Sequence, residues 1–100
     1  MSDKLPEIIL LAVPKFPIGQ LAVTPNALEQ LTHDDILAGL SRHCLGDWGD
    51  LDQHDQAEND RALAEGSRLL SRYESSDSIR FWIITEWDRS LTTILLPQDY

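Results

Sequence analysis

The chain has a single cysteine, Cys44, so no internal disulfide can form and a reducing compartment suits it. Basic residues are scarce as well. Eight Lys and Arg stand against 17 Asp and Glu, a formal charge of −9. That imbalance disfavours direct binding to nucleic acid or to an anionic membrane, and draws the protein towards basic surfaces. Long hydrophobic runs are missing. Ile8–Val13 is far too short to span a bilayer and ends at Pro14 without a small-residue cleavage site. No signal peptide or membrane segment is read there, and a cytoplasmic location is expected. A Gly-rich phosphate loop, a Walker-type lysine and a G-x-S-x-G elbow are also lacking.

What is present describes a folded chain. Hydrophobic residues make up 42% of 100 residues, enough for one core and one domain spanning residues 1–100. Ile8–Val13 and Ile18–Val23 read as short strands or extended segments around Pro14 and Pro17. Thr24-Pro25 starts a short helix, with Thr24 as cap and Pro25 in the first turn. Thr32 caps a second helix in which Ile36, Leu37, Leu40 and Cys44 form an apolar stripe, ending near Leu45-Gly46. A third helix runs from about Asp52 to Glu65 and closes at Gly66, with a thin inner face of Ala57, Ala62, Leu63 and Ala64. Arg68–Tyr73, Ile79–Glu86 and Leu91–Leu96 read as a meander, joined by the turn Glu74–Ser78 and the hairpin loop Trp87–Ser90. On the middle strand Phe81, Ile83 and Thr85 share one face, and Arg80, Trp82, Ile84 and Glu86 the other. The expected fold is α+β, with short helices packed on one face of a small antiparallel sheet.

The most distinctive stretch is Gly46–Asp60. It carries Asp47, Asp50, Asp52, Asp55, Glu58 and Asp60 with no Lys or Arg among them. Asp52, Asp55 and Glu58 repeat at i, i+3, i+6 along one side of the third helix, where like charges repel. One reading is a solvated helix whose acids sit near its positive end. The other is an anionic face for a cationic partner. Trp48 lies in the acidic loop and Trp87 in the hairpin loop, between Glu86 and Asp88. A ring surrounded by carboxylates suits an interface anchor, although either ring could instead fold back as a lid on the core. The candidate partner-binding set is therefore Asp47, Trp48, Asp50, Asp52, Asp55, Glu58, Glu86, Trp87 and Asp88.

Chemical readings fare worse. His43, Cys44 and His54 lack the paired spacing and ligand count of a structural zinc site. His43 and Cys44 diverge by about 100° on a helix and make no nucleophile–base pair. Asp47 and Asp50 beside Trp48 could form an acid/base pair, but no substrate pocket is marked. Arg89, between Asp88 and Ser90, is expected to tie down its loop. No catalytic residue, metal or cofactor is assigned.

Val23-Thr24-Pro25, Arg42-His43, Gly46-Asp47-Trp48-Gly49-Asp50-Leu51, Trp82-Ile83-Ile84-Thr85-Glu86, Asp88-Arg89-Ser90 and Thr92–Pro97 together carry a resemblance. Over essentially its whole length the chain resembles a family of small bacterial mobile-element and prophage proteins that includes anti-CRISPR inhibitors of type I-F surveillance complexes. The resemblance implies a non-enzymatic, stoichiometric binder. Its expected partner is the crRNA-guided complex, where the large PAM-recognising subunit meets the adjacent backbone subunit. The family supplies no catalytic residues. An acidic antitoxin-like or regulatory protein for another basic partner, and a small hydrolase using Asp47 or Asp50, are the alternatives.

Overall fold

The computed structural model describes residues 13–100. The elements follow in the order β1 (Gln20–Val23), α1 (Pro25–Gln30), α2 (His33–Cys44), α3 (Gln53–Glu65), β2 (Leu69–Glu74), β3 (Arg80–Thr85) and β4 (Leu91–Leu95), with a final 3₁₀ turn at Pro97–Asp99. The strand read at Ile8–Val13 lies outside the described residues apart from Val13. Among the described residues, no helix is long and apolar enough to cross a membrane.

Each helix begins at the cap its sequence announces. The hydroxyls of Thr24 and Thr32 accept the amides of Ala27 and Asp35, and the Asp52 carboxylate accepts that of Asp55. Gly66 ends α3 in the left-handed region, as read from its position.

The fold is α+β, with the three helices on one face of a four-stranded sheet ordered β1-β4-β3-β2. β2, β3 and β4 form the expected antiparallel meander. β1 adds beside β4 in parallel, so the sheet is mixed rather than purely antiparallel. The register places Leu69, Ser71, Tyr73, Phe81, Ile83, Thr85, Thr92 and Ile94 on the helical side. One cluster gathers Ala27, Leu31 and Ile36 onto Tyr73, Phe81, Ile83 and Ile94. Gly39 lets α2 approach closely, because a Cβ there would lie 2.7 Å from the Phe81 ring. A second cluster joins Phe16, Trp48, Leu51 and Leu69.

The apolar stripe of α2 faces the core only in part. Ile36 is buried and Leu40 and Cys44 are half-buried, but Leu37 is 60% exposed. Gly39 and His43 take the remaining inward positions. The thin face of α3 is thinner than read: Ala57 and Ala64 are exposed, and only Ala62 and Leu63 reach the core. What holds α3 is polar. The Asn59 amide donates to the Leu70 carbonyl (2.6 Å) and accepts the Leu70 amide (3.2 Å), acting like one residue of an adjoining strand. The next outward-facing residue of β2, Arg72, is bonded to Trp48 and Asp50. That edge is sealed against further pairing at both positions.

His43 lies fully buried in the core in a directed relay. Thr92 donates to the Ile18 carbonyl (2.7 Å), so the Thr85 hydroxyl 2.7 Å away donates to Thr92. Thr85 must then accept from His43 Nε2–H (2.9 Å), leaving Nδ1 to accept from Ser71 (2.5 Å). All four side chains are satisfied.

Phe81 and Ile83 are structural, since both are buried at the centre of the first cluster. Phe81→Ala and Ile83→Ala are each expected to cost about 2–5 kcal/mol. Thermal melts should show both as large losses, and an unchanged midpoint would refute this core.

Candidate functional site

The acidic stretch is built on a turn that only glycine permits. Gly49 has a φ of +78°, and a Cβ there would collide with the Arg72 carbonyl. This close approach forms a parallel bridge between Gly49 and Arg72. Arg72 donates to the Trp48 carbonyl (3.1 Å) and Asp50 donates to the Arg72 carbonyl (2.8 Å). A segment docked on β2 in this way directs alternate side chains to opposite sides. Asp47 accordingly faces solvent and Trp48 turns inward, while the positive φ of Gly49 interrupts the alternation and leaves Asp50 exposed as well.

Trp48 is only 4% exposed and is therefore not a surface anchor. Its ring stacks near Phe16 (6.3 Å between centroids) and meets His43 edge-on (5.7 Å). Its indole N–H donates to the Asp60 carboxylate at 2.9 Å, so Asp60 supports the ring. The lid reading holds, because docking on β2 fixes which way the ring points.

The carboxylates differ from one another. Asp47 accepts from Arg42 Nε (2.7 Å) and Nη2 (3.2 Å), and from the Gly49 amide. The Arg42 guanidinium holds its carboxyl below the usual range, and itself lies over the Tyr73 ring. Asp47 is thus a neutralised turn element, and its exposure does not make it an unpaired anion. Asp52 is exposed and caps α3. Glu58 is exposed and paired with Arg61 at 2.8 Å, with His54 at 3.8 Å on its other side. Asp55, half-buried, lies 3.4 Å from His54. Asp50 is exposed and makes no ion pair among the described residues.

Glu86, Trp87 and Asp88 sit elsewhere. Arg89 donates to the carbonyls of Ala62 (3.2 Å), Ser67 (2.6 Å) and Glu86 (3.0 Å), pinning the hairpin to the C-terminal end of α3. It ties down its loop, as its position suggested. Asp47–Asp55 occupy the other end of that helix, roughly 20 Å away at 1.5 Å per residue. The nine candidates therefore form two patches. In the second, Glu86 is paired with Arg68 (3.1 Å), Asp88 accepts from the Ser90 hydroxyl (2.6 Å) and amide, and Trp87 is 67% exposed. Of the two readings left open for Trp87, the exposed ring holds and the lid does not.

His43, Cys44 and His54 are not brought together. His43 is in the buried relay, Cys44 is half-buried with its thiol pKa raised by burial, and His54 is exposed. Among the described residues, the only ligand-like group is Asp52, His54 and Asp55, whose donor atoms lie within 4.8 Å of one another. Asp52 already accepts the Asp55 amide there. Arg42 and Asn59 escaped the sequence reading. Arg42 lies five residues before Asp47 at a helix end, a spacing without a helical pairing rule, and Asn59 is a lone amide on a polar helix.

No family model matches the chain, and no curated protein or solved structure matches it.

Proposed function

We propose that the protein is a stoichiometric inhibitor of type I-F crRNA-guided surveillance complexes, acting in the cytoplasm of the host bacterial cell. It binds where the large PAM-recognising subunit meets the adjacent backbone subunit and keeps target DNA out. The observation that carries this reading is the run of Asp50 and Asp52, both exposed and outside any ion pair among the described residues, with half-buried Asp55 beside them. A rigid turn and helix cap present the run. The resemblance of the Gly46–Leu51 segment and the C-terminal strands to the mobile-element family supports the same partner. A channel that holds guide RNA and target DNA is rich in cationic groups. Carboxylates on a domain of charge −9 can take positions that phosphates otherwise occupy. The acidic patch is too small to track a duplex, so the domain acts as a local plug. It works by occupancy, without turnover or direct nucleic-acid contact.

Pull-down of the loaded complex, with and without target DNA, tests the partner, and titration tests the stoichiometry. Inhibition should saturate near equivalence, and target DNA should compete. In the double variant Asp50→Lys, Asp55→Lys the association rate should fall about tenfold or more, with the effect fading as salt rises. Wild-type association by a folded double variant would exclude this surface. Full inhibition at a small fraction of an equivalent would exclude occupancy.

A further inference from the structure

The sheet face opposite the helices carries a second surface of different character. Arg68, Leu70 and Arg72 alternate onto it before and along β2, beside Arg80, Trp82 and Ile84 of β3. Three of the chain's eight basic residues thus gather on one face of a strongly acidic protein. Arg68 is paired with Glu86. Arg72 and Arg80 make no ion pair among the described residues, although Glu74 stands opposite Arg80 in the strand register. Arg72 instead lies over the Trp82 ring, 5.3 Å from its centroid, which holds its fork of donors in place.

Two concavities meet at this stacked pair. A groove of about 460 Å³ is lined by Asp50, Arg72, Tyr73, Arg80, Trp82 and Pro97. Across the ridge, a smaller one of about 160 Å³ is lined by Arg68, Leu70, Arg72, Trp82, Ile84 and Tyr100. The first offers the guanidiniums of Arg72 and Arg80, and the second sets apolar and aromatic walls beside Arg72 and the Glu86-paired Arg68. The β2 edge beside them is sealed at Leu70 and Arg72 by Asn59, Trp48 and Asp50. A ligand there cannot add as a strand, and has to be recognised by side chains across the face.

We infer that this face docks an extended segment of a partner protein in which an acidic residue stands two positions from an apolar one, so that both side chains point at the sheet. The carboxylate lies between Arg72 and Arg80, where a bidentate contact suits the guanidinium fork. The apolar residue two positions away enters the smaller pocket beside Leu70, Trp82, Ile84 and Tyr100. A net charge of −9 repels a polyanion such as single-stranded nucleic acid, whereas one or two carboxylates feel chiefly the local arginines. Asp50 at the rim opposes the incoming carboxylate and weakens the contact. This surface shares Asp50 at its rim with the acidic one proposed above but is otherwise built from different residues, and its test involves no surveillance complex.

The probe is a capped heptapeptide, Gly-Ser-Glu-Ser-Leu-Ser-Gly, titrated into the isotope-labelled full chain and followed by NMR. The peptide should shift the Trp82 indole N–H and the Arg72 and Arg80 Nε–H signals with a saturable curve. Its Gln-for-Glu counterpart should bind about tenfold more weakly, the loss expected for one charge-assisted pair. Arg80→Gln and Arg72→Gln, each checked for an unchanged melt, should lose binding, and Asp50→Asn should tighten it. Equal binding of the Gln peptide would overturn the proposal. So would shifts confined to other faces, or saturable binding of an oligothymidylate in place of the peptide.

Discussion

Replacing Trp48 by alanine is expected to unfold the protein more readily, not to strip it of a contact with its partner. The ring is buried against Phe16, His43, Leu51 and Leu69, and its N–H is held by Asp60. Truncating a buried Trp costs about 3–5 kcal/mol, through lost burial and the cavity left behind. In a domain of this size that lowers the melting midpoint by about 12 °C or more. Trp48→Phe should recover much of the loss, because it refills most of the volume while giving up only the Asp60 bond. Binding to the loaded complex, measured below the variant's melt, should stay near wild type. A Trp48→Ala protein with unchanged stability and lost affinity would restore the anchor reading and refute the packing described here.

Trp48 also shows how far the sequence could be read. Helix starts were legible because capping is local: a Thr or Asp and the amide three residues on decide it. The meander was legible because β-branched and aromatic runs separated by polar turns leave few alternatives. The parallel pairing of β1 was not, since it depends on how the chain returns past β4 after about 70 residues. Glycines on either side of Trp48 signalled a tight turn, yet the inward ring follows from the bridge to Arg72, a contact between distant residues. The acidic run looked free of bases for the same reason, as Arg42 folds back onto Asp47. Leu37 was misplaced because a periodic stripe marks a helix face without saying how much of it a small sheet can cover.

Lowering the pH should weaken the fold well before the carboxylates protonate, and His43 is the cause. Burial pushes its pKa from the ordinary 6.5 down to about 4, and the nearby Arg89 charge adds to this. Phe16 and Trp48 present ring edges and faces to it, and the hydroxyls of Ser71 and Thr85 complete its surroundings. The relay fixes why the charged form is excluded. Nδ1 must remain an acceptor for Ser71, because Nε2 already donates into the Thr85–Thr92–Ile18 chain. A depressed folded pKa means that the unfolded chain binds the proton more tightly. The stabilisation is therefore complete above about pH 6.5 and is lost as pH falls towards 4. Its full size is about 3 kcal/mol. Asp35, Asp47, Glu58, Asp88 and Asp99 also have lowered pKa values, but their contributions are lost only around and below the ordinary carboxylate values, 3.8 for Asp and 4.5 for Glu. The two windows can be separated by urea denaturation in a series of buffers. Wild type should lose stability between pH 6.5 and 4, whereas His43→Gln, less stable at neutral pH, should show a flat profile over that range. A wild-type curve that is flat down to pH 4, or a His43→Gln curve that keeps the same slope, would remove the buried imidazole as the acid-sensitive element.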